Sequence, residues 1–453
     1  MTDCNPTPIE FSSLGRRHVV ADFAGGAITS DAGALLVREV DRRLGLIDKL
    51  DAVIPDPRNQ ALITHQQKTM LRQRILAIVM GYEDGNDHQT LRDDPLMQLL
   101  TERGIDPQRP LASPPTLCRL ENRVSRRTLA EMAKVLVEVF IASHKTPPRE
   151  LILDFDATDD PVHGHQVNRF FHGYYDHYCF LPLYVFCGDH LLVAYLRPAN
   201  IDAATHAWAI LALLVKRFRQ VWPGVKIIFR GDSGFCRWKM LRWCEKHGVF
   251  YLVGLAKNSR LNAMARPFMD QARQLFEPQG NVQPQRVFAD LLHAAHTWDK
   301  ERRVIAKAEY LAGDGAGGPK ENFRFVVTNL DDPPRSLYEE VYCQRGDAEN
   351  RIKEQQLGLF ADRTSCHEFA PNQLRVLLSA AAYVLLQHLR QEALAGTELA
   401  DAQVSTIRLK LLKIGGLLVR SARRVILHLS SGCPIQELFR VIARRLISLP
   451  QPT

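Results

Sequence analysis

The sequence predicts an α/β protein: a mixed-sheet core with a β-rich insertion, a mostly helical domain before it and a basic helical segment after it. Three observations predict this. Up to about residue 143, apolar residues recur at helical spacing. From 149 to 256, short apolar runs of strand length alternate with helical stretches, the pattern of an α/β layer. From 257 to 332 the residues alternate like antiparallel strands, and long helical patterns then resume.

The elements follow in order. Ser30-Asp31 caps a helix over Ala32–Leu46, and a second helix runs from Gln66 to Met80. Ser113-Pro114-Pro115-Thr116 is a helix-start signal. It opens a pair of short helices, Ser113–Arg127 and Thr128–Ser143, that carry Arg119, Arg123, Arg126 and Arg127. The pair fits either a helix-turn-helix-like reader of DNA or a packed subdomain with an arginine-rich face. Lys145-Thr146-Pro147-Pro148 breaks the pattern and marks a boundary. Strands are then expected at Leu151–Asp156, at Phe180–Cys187 and Leu191–Arg197 around a Gly188-Asp189 turn, at Val225–Phe229 and at Val249–Leu255. Helices are expected at Ala203–Phe218 and Arg237–Lys246. Val304–Leu311 and Asn322–Val327 read as strands flanking a glycine-rich turn, Gly313–Gly318. Ser336–Gln356 and Pro371–Leu394 read as helices. The resulting layout is 1–148, 149–256, 257–332 (the insertion), 333–395 and 396–453.

At 453 residues the chain exceeds the roughly 250–300 that one core sustains. Its +8 charge points to a polyanionic partner. The excess is concentrated: Ala402–Thr453 holds nine lysines and arginines, with Glu437 the one acid. That is either a solvated helical face or a surface for phosphate. The nine cysteines contain no C-x-x-C pair, which argues against zinc ribbons and thioredoxin-like redox chemistry. The four histidines 163, 165, 172 and 177 lack metal-site spacing. The N-terminal residues lack the order of a signal peptide, and the longest apolar run, Val376–Leu386, falls short of the roughly 20 residues that span a bilayer. A cytoplasmic protein without a membrane is expected.

Acids mark the candidate chemistry. Strand alternation puts Asp154 and Asp156 on one face of Leu151–Asp156, and a carboxylate removed from water needs a cation or a partner. Asp232 follows the Val225–Phe229 run within Gly231-Asp232-Ser233-Gly234, where glycine permits close approach. Acids at the ends of adjacent strands can converge on a hard cation. Each alone also reads as an aspartate capping a turn. Tyr342, Arg345 and Glu349 lie three and four apart on a predicted helix and so share a face. An ordinary surface ion pair gives the same spacing.

Taken together, Asp-Ala-Thr ending a strand, Gly-Asp-Ser after another and Tyr-x2-Arg-x3-Glu on a helix resemble the DDE transposases of bacterial insertion sequences. The strings Leu153–Gly164 and Ala361–His367 are similar to the insertion sequence 1380 family, and the resemblance runs from Gly25 to Tyr383. It implies a ribonuclease-H-like core, with intervals of 76 and 117 residues between the acids and a β-rich insertion before the last. It makes Asp156 the first acid, with Asp154 its competitor, Asp232 the second and Glu349 the third. It further implies two Mg²⁺ ions (Mn²⁺ being the substitute) roughly 3.5–4 Å apart. The partners implied are double-stranded DNA, as terminal inverted repeats and target, and a homodimer or larger synaptic complex. Tyr342 and Arg345 match the family's phosphate-gripping signature. Its lysine position holds Gln356 here, with Lys353 one turn after Glu349. Arg230 reads as a phosphate contact or as the partner of an acid, and Trp298 as a core-packing residue first, with base stacking in DNA binding the alternative. A nuclease that cuts without joining, or a non-catalytic DNA-binding relic, shares much of this pattern.

Overall fold

The alternation Leu151, Leu153, Phe155 against Ile152, Asp154, Asp156 gives one strand two unlike faces, and the sheet is built around it. The computed structural model describes residues 8–276, 283–313 and 318–448. They form two compact units. One comprises Leu129–Leu357 and Thr364–Ala380; the other comprises Met1–Thr128, Gly358–Arg363 and Ala381–Thr453.

The first of these holds an eight-stranded mixed sheet. Its strands are β1 (Glu150–Ala157), β2 (Leu183–Cys187), β3 (His190–Tyr195), β4 (Lys226–Gly231), β5 (Phe250–Leu255), β6 (Gln285–His293), β7 (Arg302–Leu311) and β8 (Lys320–Thr328). They lie in the order β6-β7-β8-β5-β4-β1-β2-β3. β1, β4 and β5 run parallel and the other pairings are antiparallel. β2 and β3 join through Gly188-Asp189, with Gly188 at φ +55°, the left-handed conformation such a tight turn needs. The three strands of the expected insertion continue the sheet: β8 pairs with β5 and satisfies an edge that would otherwise be open.

One face buries Leu153, Phe155, Ile227, Phe229 and Val253 against helices α1 (Ala207–Val221), α2 (Trp238–Lys246) and α3 (Ser259–Phe276). Phe155 and Phe229 meet edge to face with centroids 5.1 Å apart. On the other face Ile228, Leu252, Ile305 and Val326 pack against Leu337 and Tyr338. Those two begin a helical run from 337 to 358 whose pitch changes repeatedly. It is π-helical over Leu337–Tyr342, 3-10 over Cys343–Arg345, α-helical over Gly346–Lys353 (α4) and π-helical again over Glu354–Gly358.

Two expectations need correction. The 257–332 stretch is not β-rich throughout. It opens with the 18-residue α3, whose Leu261, Ala265, Met269, Ala272 and Phe276 keep helical spacing and are buried. The expected turn Gly313–Gly318 falls between β7 and β8, and its residues 314–317 lie outside the described residues. In the second unit, the segment after 396 is not helical alone. Gly416–Arg420 and Val425–Leu429 form a hairpin that pairs with Ile28–Thr29. Leu418 is buried while Leu417 and Val419 are exposed, a period of two rather than 3.6. The expected helices of 1–148 are present as Ala34–Leu44, Gln67–Met80, Pro114–Asn122 and Arg126–Ser143. Phe369–Leu394 is long and apolar enough to cross a membrane, and 83% of its most apolar window is buried within the protein.

Phe155 sits where β1 meets β4 and the helical layer. Phe155→Ala should therefore lower unfolding free energy by about 3–5 kcal/mol. Urea denaturation measures this, and a loss near zero would mean that β1 does not share this core.

Candidate active site

Parallel register delivers two acids to one edge. Arg230 of β4 pairs directly with Asp154 of β1. Asp156 and Asp232 each lie two residues further on, so alternation puts both on the same face, Asp156 at the C-terminal end of β1 and Asp232 just past that of β4. That edge is where open α/β sheets bind ligands. Asp156 Oδ1 accepts from the Ala157 N–H at 2.9 Å. Asp232 caps the short turn Ser233–Phe235, its Oδ1 accepting from the Gly234 N–H at 2.9 Å. The turn-capping reading of Asp232 is thus realised, and its placement beside Asp156 adds to it.

The helical run supplies the third acid. Arg345 Nη1 lies 3.3 Å from Asp156 Oδ2, and Nη2 lies 2.5 Å from Glu349 Oε1. A single guanidinium therefore bridges an acid of β1 and an acid of α4. Burial pushes the Asp156 carboxyl up to about 7; Arg345 opposes this, while Asp232 and Glu349 add to it. Burial disfavours the charge on Arg345 too, but Asp156 and Glu349 outweigh it and raise its pKa. On the same side of the helix, burial raises the Tyr342 phenol, with Arg345 opposing and Asp232 reinforcing. The three acids therefore share one field.

Gly254 of β5 is a part of this arrangement that sequence reading missed. A Cβ there would lie 2.6 Å from Tyr342 Oη, 2.9 Å from Ser233 N and 3.1 Å from the Asp232 carbonyl carbon. Only glycine lets the tyrosine and the Asp232 turn close on the strand. Its signal was a glycine inside an apolar strand, which marks close backbone approach.

Asp154 has a different job from Asp156. It is 1% exposed, and both its oxygens accept from Arg230, Oδ2 from Nη2 at 2.7 Å. Arg230 Nη1 donates to the Val341 carbonyl. This corrects the expectation that Arg230 contacts phosphate: it is buried, with its donors spent on Asp154 and the helical run. For Trp298 the packing reading is the one seen: it is partly buried against the core with the Arg302 guanidinium 5.4 Å from its ring centroid. Arg123 is engaged by Asp56 at 3.1 Å and by Gln67. Arg119, Arg126, Arg127 and Lys353 are exposed. Gln356, at the family's lysine position, donates to the Asp159 carbonyl at 2.8 Å.

The two longer motif strings meet. Thr364 Oγ1 donates to Asp160 Oδ2 at 2.9 Å, and the Val167 N–H donates to the His367 carbonyl at 2.8 Å. His177 pairs with Asp159 at 2.8 Å, bracing the segment just after Asp156.

The donor set fits a hard divalent cation: carboxylate oxygens only, with Asp156 desolvated and crowded by negative charge that a cation would relieve. Among the described residues no three acid, histidine or cysteine side chains stand as a ready-made metal cluster, and Arg345 takes the space between Asp156 and Glu349.

Residues 11–451 match the model of the transposase DDE domain, group 1. The chain belongs to this family. Membership implies a nucleic-acid-cleaving enzyme of a class that generally uses divalent metal ions. A solved structure similar to this DDE transposase is a piggyBac transposase synaptic complex with hairpin DNA, determined by cryo-EM. The likeness covers 85% of this chain and 80% of that one, at 9% identity and a TM-score of 0.41. No curated protein matches the chain.

Removing one member of a buried ion pair strands the other. Asp154→Ala should cost about 3–5 kcal/mol, and the double change Asp154→Ala/Arg230→Met should recover most of it. Chemical denaturation of the three variants decides this; equal losses for single and double changes would rule the explanation out.

In metal-free buffer the folded Asp156 pKa of about 7 lies above its ordinary 3.8. The folded protein therefore holds a proton that the unfolded chain has released between those values. Stability from this group is full below about pH 4 and falls as pH rises toward 7. Asp156→Asn removes that loss, so its urea midpoint should exceed the parent's at pH 8 and match it near pH 4. A difference independent of pH would exclude Asp156 as the titrating group.

Proposed function

We propose that this chain is a bacterial insertion-sequence transposase, similar to the 1380 family, that cleaves and joins DNA at terminal inverted repeats. Asp156, Asp232 and Glu349 are its catalytic and metal-binding acids. The observation that carries the reading is Arg345 bridging Asp156 and Glu349, with the charge of Asp232 acting on the same Asp156. The run β3-β2-β1-β4-β5, an antiparallel hairpin continued by parallel strands, supports a ribonuclease-H-like core.

Mg²⁺, or Mn²⁺ in its place, held by the three acids would supply charge for a scissile phosphate and a more acidic water or 3′-hydroxyl. The chain's own residues do the positioning. The Asp154–Arg230 pair fixes the two strands that end in Asp156 and Asp232. Arg345 holds Glu349 toward Asp156 and keeps a guanidinium where phosphate oxygens arrive. Tyr342 closes the wall beside Asp232, and Lys353, exposed one turn past Glu349, extends the positive surface toward DNA. Arg119, Arg126 and Arg127 of the 1–148 domain are exposed for phosphate contact. Two element ends must be held together for joining, so the working form is a homodimer or larger synaptic complex, cytoplasmic and associated with the nucleoid.

The test is Mg²⁺-dependent cleavage of a duplex that carries the element's terminal repeat. Asp156→Ala, Asp232→Ala and Glu349→Ala should each lose at least about 10³-fold in rate while keeping DNA affinity. Retained cleavage in any of the three would remove that residue from the triad. Cleavage without strand-transfer product would favour a nuclease that does not join, and binding without cleavage would favour a non-catalytic relic.

A further inference from the structure

The unit that contains the chain's N- and C-terminal segments holds a cleft of about 650 Å³. One wall is the loop after the helix Pro95–Leu100, including Arg103, Ile105 and Asp106. The other is the turn Ser421–Arg424 that joins the two strands of the C-terminal hairpin. Four arginines line it: Arg103, Arg420, Arg423 and Arg424. Asp106 is the one acid, and Arg109 lies 3.8 Å from it.

The arginines are held in different ways. Arg420 donates to the Ile105 carbonyl and ties the hairpin to the facing loop. Arg103 donates to the Pro110 carbonyl at 2.6 Å. The turn is self-braced, the Ser421 N–H donating to the Arg424 carbonyl at 2.8 Å and the Arg424 N–H to Ser421 Oγ at 3.2 Å. It therefore presents the exposed Arg423 and Arg424 from a fixed backbone.

Guanidinium forks match phosphate oxygens. No aromatic residue lines the cleft, and its four arginines against one acid make a donor-rich lining suited to phosphate oxygens. We propose that this cleft grips the phosphate backbone of duplex DNA through Arg423 and Arg424. The proposal rests on the reading of the chain as a DNA transposase.

The test uses the full chain and two labelled duplexes, one with the terminal repeat and one scrambled, titrated across salt concentrations. Neutralising two phosphate contacts in Arg423→Ala/Arg424→Ala should reduce the slope of log K against log salt by about 1.8 for both duplexes. Arg423→Lys/Arg424→Lys should keep most of the parent's slope. An unchanged slope in the alanine variant overturns the proposal, as does a loss confined to the repeat duplex, which would mean sequence reading. Inorganic phosphate at constant ionic strength should not displace DNA; displacement abolished by the alanine change would reassign the cleft to a free anion. The expected slope change in the alanine variant, with a parent that never cleaves, overturns the transposase reading and leaves the cleft standing. A parent that binds neither duplex overturns both.

Discussion

The buried pair Asp154–Arg230 is the constraint on which the site depends. It joins two parallel strands side by side, and through the Val341 carbonyl it reaches the helical run that carries Tyr342, Arg345 and Glu349. Parallel register fixed at this pair also fixes where Asp156 and Asp232 emerge two residues later. A one-residue slip would send those acids to the opposite face, among Phe155 and Phe229. Burying two charges is costly, so hydrophobic residues would hold the strands at least as well. What the pair adds is specificity of register and a fixed anchor for a helix whose pitch changes three times. The π-helical stretches at both ends of this run reposition side chains relative to a regular α-helix, and such segments recur at functional sites.

The local electrostatics follow from that placement. Three carboxylates brought to one edge repel, and burial of Asp156 sharpens the repulsion. Arg345 answers it by contacting two of them at once. The same guanidinium thus balances two of the acids.

How much of this was legible before the fold was known differs by element. The strands around Asp156 and Asp232 were readable because a parallel core strand is a short apolar run with an abrupt polar end. The Tyr342-Arg345-Glu349 face was readable because helical spacing survives even where the pitch varies. The hairpin at 416–429 was not, because its basic residues and nearby helical patterns mask a period of two over only five residues per strand. Helix α3 was missed because the alternating strands that follow it dominate the window. The roles of Arg230 and Trp298 stayed open for one reason: sequence gives the chemistry of a side chain but not whether a neighbour has already used it.

The sequence by itself determined the chemical inventory: which strands end in acids, which helix carries Arg345 and Glu349, and that the excess positive charge lies toward the C-terminus. These are local properties, set by composition and by periods of 2 and 3.6. Only the tertiary structure decided which acid is structural and which is presented. Asp154 and Asp156 are equivalent in alternation and chemistry. They differ because Arg230, 76 residues away, lies beside one, and Arg345, 189 residues away, reaches the other. The role of Gly254 and the gathering of four arginines around one cleft are of the same kind. They depend on contacts between segments distant in the chain, and no local pattern encodes those.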